Sequence, residues 1–180
     1  MRMKKEMSLF YMKNPMKFLP TLLIAILFSA CETGTKAESQ PQDEIAAIAN
    51  PSEIDSVKRL IESSFEGIWS ELDTSRIKTF HTEDFILLEA GMVWNNDSIA
   101  NYLLDEQKRM LEGKYQRLNR FKYVKAVQSP GNIWVAYQNY GTWVQGSDTL
   151  GTAQWLESAI AVKENGQWKL QQLHSTPIQR

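Results

Sequence analysis

Cysteine is almost absent from this 180-residue chain: Cys31 is the single one, so no internal disulfide can form, and beyond it there is no thiol for nucleophilic chemistry. Histidine occurs twice, as His81 and His174. No glycine-rich phosphate loop, no HExxH and no GxSxG is present, so the chemistries that need those spacings are not encoded and no cofactor is called for. Charge of either sign is in little excess, with 20 basic and 21 acidic residues. Because residues 1–30 hold five Lys or Arg and one Glu, the remainder carries −5 and has no basic stripe for a phosphate backbone. Nucleic acid is not expected as a partner. A membrane-spanning helix needs about 20 apolar residues; the mostly apolar run Phe18–Ala30 is shorter than that.

What stands at the start of the chain is a targeting pattern. Arg2, Lys4, Lys5, Lys13 and Lys17 make a basic segment, Phe18–Ala30 an apolar one, and small Ser29 and Ala30 precede Cys31. Phe28-Ser29-Ala30-Cys31 resembles a bacterial lipobox, with Phe28 where Leu is usual. That resemblance implies lipidation of Cys31 as the first residue of an exported protein held at a membrane by its lipid alone, on the periplasmic face or the cell surface. The alternative is an ordinary secretory signal cut nearby. Residues 32–50 are rich in Glu, Gln, Ser, Thr and Ala without apolar periodicity until their end, and read as a flexible tether. The expected organisation is a signal peptide over 1–30, a tether over 31–50 and one folded domain over 51–180.

Within that domain, Asn165-Gly166 between two alternating runs signals a hairpin, since a type I′ turn needs positive φ at both central residues. A regular ladder from this turn sets Glu164 against Gln167, Lys163 against Trp168, Ala161 against Leu170 and Glu157 against His174. Upstream, Asn50 caps and Pro51 opens a helix whose apolar stripe is Ile54, Val57, Ile61, Phe65, Ile68 and Leu72. Asp73 or Thr74 caps a short second helix to Phe80, followed by the polar break His81-Thr82-Glu83-Asp84. A strand Phe85–Glu89 turns at Ala90-Gly91 and returns through Trp94. A third helix then runs from a cap at Asn95, Asn96 or Asp97 to about Glu112, with Ile99, Leu103 and Met110 inward. The rest reads as a four-stranded meander. Helices followed by antiparallel strands, without βαβ alternation, predict an α+β domain.

Several phrases, Phe80-His81-Thr82-Glu83-Asp84-Phe85, Leu88-Glu89-Ala90-Gly91, Asn96-Asp97-Ser98-Ile99, Trp168-Lys169-Leu170 and Leu173-His174-Ser175-Thr176, taken in this order, resemble the nuclear transport factor 2-like superfamily. The SnoaL-like and ketosteroid-isomerase-like branches are the most similar. The resemblance covers Ser52 to Arg180. It implies a cone-shaped fold: a strongly bent antiparallel sheet wrapped around about three helices, with a pocket at the wide end. It also implies that the strand ending at Glu89 lies parallel to the one ending at His174, and that the convex face can form a homodimer. Members of that superfamily include isomerases, hydratases, dehydratases, polyketide cyclases and non-catalytic modules, so the fold names no function. The paired oxyanion donors and base of the steroid isomerases have no clear equivalent here.

The candidate chemistry is a His174–Glu157 pair, with Glu157 orienting the imidazole as a general base and Glu89 as an acid whose pKa burial would raise. The alternative for the pair is a cross-strand contact that only stiffens the sheet, and for Glu89 a solvated turn residue. Asp84 reads as a turn or cap residue and His81 as exposed. Among many aromatics, Trp155, Tyr137 and Trp94 are the candidate ligand-binding residues, in a pocket for a small, partly apolar molecule. No metal-ligand spacing links His81 and His174 to a carboxylate. Two functions follow: acid/base catalysis of isomerase, hydratase or hydrolase type, or a non-catalytic ligand-binding or assembly module.

Overall fold

The Asn50 side chain accepts a hydrogen bond from the Ser52 amide at 3.1 Å and Pro51 occupies the first turn, which starts helix α1 (Pro51–Ser64) where the sequence predicts it. In this computed structural model, which describes residues 50–178, the helix continues as π-helical turns over Phe65–Ser70. The expected signal segment, Cys31 and the expected tether up to residue 49 lie outside the described residues. Asp73 accepts from the Ser75 amide at 2.9 Å and caps a 3-10 turn, Thr74–Arg76, that runs into the short helix α2 (Ile77–Phe80). Strands β1 (His81–Glu89) and β2 (Met92–Trp94) follow, then α3 (Asn96–Gly113), capped by Asn95. Four long strands complete the chain: β3 (Gln116–Ser129), β4 (Asn132–Gln145), β5 (Asp148–Glu164) and β6 (Gln167–Pro177).

The strands form one mixed sheet in the order β2-β1-β6-β5-β4-β3, strongly curved and open, with β1 and β6 parallel and the other neighbours antiparallel. Register shifts interrupt the β3–β4, β4–β5 and β5–β6 ladders, and each extra residue bends its strand and increases the local twist. The apolar stripe that runs from α1 (Val57, Ile61) into the π-helical turns (Phe65, Ile68) is buried in one core with Ile133 and Val135 of β4, Ala159 and Ala161 of β5 and Leu170 and Leu173 of β6. At about 25 cal/mol per Å² of apolar surface removed from water, this helix–sheet contact is the main driving force for the fold.

Asn165 and Gly166 take φ of 51° and 80°, as a type I′ turn requires, and Glu164, Lys163 and Ala161 meet their expected partners. Beyond Ala161 the register changes. Ile160 pairs with Gln172, so Gln171 is an extra residue in β6, and Glu157 pairs with Ser175 while His174 pairs with Ser158. The expected Glu157–His174 opposition is therefore wrong, because one inserted residue transfers every later side chain of β6 to the other face. Leu170 and Leu173, three apart, can both be buried only through that insertion. His81 departs from expectation too. It begins β1, 3% exposed, stacked on Phe85 at 3.7 Å, its Nδ1 hydrogen-bonded to Asn96 Oδ1 at 2.9 Å. Asp84 lies within β1 and accepts from Thr82 Oγ1 at 2.7 Å rather than serving as a turn.

Candidate functional site

Five strands each contribute one residue to a row across the inner face of the sheet. Tyr123 of β3 pairs with Tyr137 of β4, Tyr137 with Glu157 of β5, Glu157 with Ser175 of β6, and Ser175 with Glu89 of β1. The next row, two residues along, holds Phe121, Asn139 and Trp155. Tyr137 and Asn139 are 0% exposed and Glu157 5%. Ser175 Oγ donates to Glu157 Oε1 at 3.0 Å. The Tyr137 hydroxyl and the Glu157 carboxyl interact with each other, while both amide atoms of Asn139 have no hydrogen-bond partner. Such atoms cost about 1–3 kcal/mol each when left unsatisfied, so a buried amide with neither atom paired marks a place built to be completed by something else.

The electrostatics of the row follow from its burial. Removal from water pushes the Glu157 carboxyl up to about 7, and the nearby Glu89 adds to this; the Ser175 hydrogen bond, the Arg117 charge and the Tyr137 hydroxyl oppose it. Burial likewise raises Glu89, against Arg117 and Ser175. The Tyr137 phenol is held well above its ordinary range by burial and by Glu157. Glu157 can thus exist as either acid or carboxylate near neutral pH, the condition for moving a proton.

Arg117, at an inward position of β3, is the fixed cation beside these groups. Its Nε donates to Asn119 Oδ1 at 3.1 Å, and Asn119 Nδ2 donates to Ser70 Oγ, at the end of the π-helical turns, at 2.9 Å. The guanidinium lies 5.5 Å from the Trp143 ring centre and 5.1 Å from that of Trp155, an arrangement that favours a cation on the ring faces. Gly141 makes room for it: a Cβ there would stand 2.9 Å from the Trp155 ring. Arg117 forms no ion pair with any described residue. Burial lowers its pKa, while Glu157, Tyr102 and Glu89 favour its charged form. A second aromatic group consists of Trp94 against Tyr102 at 5.5 Å and Tyr102 against Trp69 at 6.2 Å.

Of the residues expected from sequence, Glu157, Glu89, Tyr137 and Trp155 come to one face, and Trp94 sits in the Tyr102 group. His174 does not join them: it is exposed, on the opposite side of β6 from Ser175. The two histidines do not meet, and among the described residues no group of three or more His, Cys, Asp or Glu could hold a metal ion. Sequence reasoning missed Arg117, Asn119, Asn139 and Ser175. Their signal is a shared change along the strands: the inward residues of β4 run Ile133, Val135, Tyr137, Asn139, Gly141, from apolar to polar, and those of β5 change at Glu157.

No protein-family model matches the chain, and no curated protein matches it. Solved structures do. ActVI-ORFA from Streptomyces coelicolor superposes with a TM-score of 0.60 at 18% identity, over 71% of this chain and 96% of that one. An NTF2-like protein of unknown function from Prochlorococcus marinus gives 0.53 at 12% identity, over 73% and 96%. A protein from Catenulispora acidiphila in complex with S-DNPA gives 0.58 at 10% identity, over 71% and 95%. The chain has the nuclear transport factor 2-like fold. In this NTF2-like domain the polar row and the Arg117–tryptophan stack occupy the inner face of the bent sheet.

Proposed function

We propose that this NTF2-like domain binds a small, partly apolar molecule against the inner face of its sheet. The observation that carries the reading is the buried Asn139 amide, whose two polar atoms have no partner, beside the buried Tyr137 and Glu157. A ligand with donors and acceptors would satisfy them, while Trp155 and the Trp94–Tyr102 group supply apolar area. The S-DNPA complex of the Catenulispora protein is consistent with small-molecule binding on this fold. The chain as a whole is proposed to be exported and lipid-anchored through Cys31, with residues 32–50 as tether, and to dimerise through its convex face, where Leu118, Val124 and Leu156 are exposed.

A second reading is favoured by the raised Glu157 pKa: acid/base catalysis with Glu157 as the proton-transferring group and Glu89 beside it. His174 has no part in it. Binding of 2-naphthamide, a neutral planar probe, to the full chain tests the primary reading through tryptophan fluorescence. Saturable quenching that Asn139→Leu weakens supports it. Absence of saturable binding to the parent chain overturns it.

A further inference from the structure

We propose that Arg117 is an anion-binding residue and that the natural ligand is a planar molecule carrying a carboxylate, held with its charge on the guanidinium and its ring against Trp155 and Trp143. The inference rests on the ligand-binding reading above and specifies the class of molecule.

Three observations carry it. First, Arg117 is a cation without an ion-pair partner among the described residues, although Glu157 and Glu89 lie near enough to influence it. A desolvated charge that stays unpaired is costly, and two ring faces compensate it only in part. Second, the guanidinium is aimed. Its Nε is held by Asn119, itself fixed by Ser70, which directs the terminal nitrogens away from that bond. A guanidinium fixed at one nitrogen still offers a forked pair of donors matching the two oxygens of a carboxylate. Third, Arg117, Trp143 and Trp155 keep some exposed surface, whereas Tyr137, Asn139 and Glu157 are buried. A ligand therefore meets the cation and the indole faces first, and its uncharged polar groups reach toward the unpartnered Asn139 amide.

The neighbouring acids do not oppose this assignment. Burial discourages both Glu157 and Glu89 from ionising, so a ligand anion meets one fixed positive charge and two carboxyls that resist becoming negative. Such an anion would favour the neutral acid at Glu157 still further, leaving it a hydrogen-bond donor to the ligand. Asn119 acts as a positioning residue, because it touches Arg117 and not the ligand.

The test compares 2-naphthoate with 2-naphthamide, which share a shape and differ in charge, titrated into the full chain at pH 7 and low salt with tryptophan fluorescence as readout. Loss of one charge-assisted, bidentate contact corresponds to about tenfold to a hundredfold in affinity, so naphthoate is expected to bind tighter by that factor. Arg117→Gln should abolish the preference and Arg117→Lys should restore part of it. Asn119→Ala should reduce it, by a smaller factor than Arg117→Gln. Equal affinity for the two probes on the parent chain would overturn the anion site while leaving the binding reading standing. Failure of both probes would overturn both. The parent-chain comparison decides the matter even if a variant fails to fold.

Discussion

Glu157 and His81 are both buried titratable groups, and burial acts on them in opposite senses. Removing a carboxyl from water favours its neutral, protonated form; removing an imidazole favours its neutral, deprotonated form. Burial accordingly lifts Glu157 to about 7 from an ordinary 4.5, whereas it lowers His81 to about 4 from 6.5, with the Asn96 hydrogen bond opposing. For Glu157 the folded pKa lies above the unfolded one, so its contribution to stability is complete below pH 4.5 and is lost as pH rises through 7. Replacing it with Gln should therefore stabilise the protein at pH 8 by roughly 2–3 kcal/mol relative to the parent, read from denaturant midpoints, with little change at pH 4. His174→Ala tests the discarded pair. As an exposed side chain it should shift stability by less than about 0.5 kcal/mol and leave probe binding unchanged; a loss of binding would return His174 to the site.

Among the elements, β6 decides which residues become neighbours. Deleting Gln171 would remove the bulge and join the Ala161–Leu170 and Ile160–Gln172 pairs into one regular ladder, with Leu173 and Ser175 still inward and His174 still outward. The deletion should therefore cost less than Leu173→Ala, which leaves a cavity and should lower stability by on the order of 2–5 kcal/mol, both read from unfolding midpoints. A midpoint lowered further by the deletion than by Leu173→Ala would show that Gln171 is not the extra residue. At Gly141, an added methyl must displace the Trp155 ring, whose end stands 2.9 Å from the Cβ position. Gly141→Ala is therefore expected to shift the tryptophan emission and cost about 1–3 kcal/mol; an unchanged spectrum would mean that the ring does not lie there. The helix starts at Asn50, Asp73 and Asn95 and the turn at Asn165-Gly166 were legible because caps and tight turns depend on local chemistry. The bulge was not, since an alternation argument assumes regular pairing; the hint was Leu170 and Leu173, which a flat strand cannot bury together. His81 was misread for a similar reason: a polar residue in a polar run looks exposed until Phe85 and Asn96, four and fifteen positions on, fold over it. Asn139 and Arg117 became meaningful only when neighbouring strands were placed side by side.

At the scale of the molecule, the two buried titrations meet. His81, its folded pKa lowered, contributes stability that is complete above pH 6.5 and is lost as pH falls through 4, opposite in slope to Glu157. Between pH 4.5 and 6.5 the slopes of these two groups oppose each other. Removing Glu157 should leave a loss of about 3 kcal/mol on acidification through this range, and His81→Phe a loss of similar size on alkalinisation. Parallel slopes in the two variants would contradict the opposed burial effects. At the other end of the chain, Cys31→Ser should abolish incorporation of a fatty-acid label and release the protein from the membrane fraction; persistence of the label would refute lipidation at that residue. Sedimentation should show a dimer, and Leu156→Glu on the convex face should dissociate it.

The most direct measurement is a carboxyl carbon NMR titration of Glu157, assigned by its loss in Glu157→Gln. A midpoint near 7 is expected for a side chain sealed in the polar row. A midpoint at the ordinary 4.5 would place Glu157 in water and contradict the buried row on which the binding site is built.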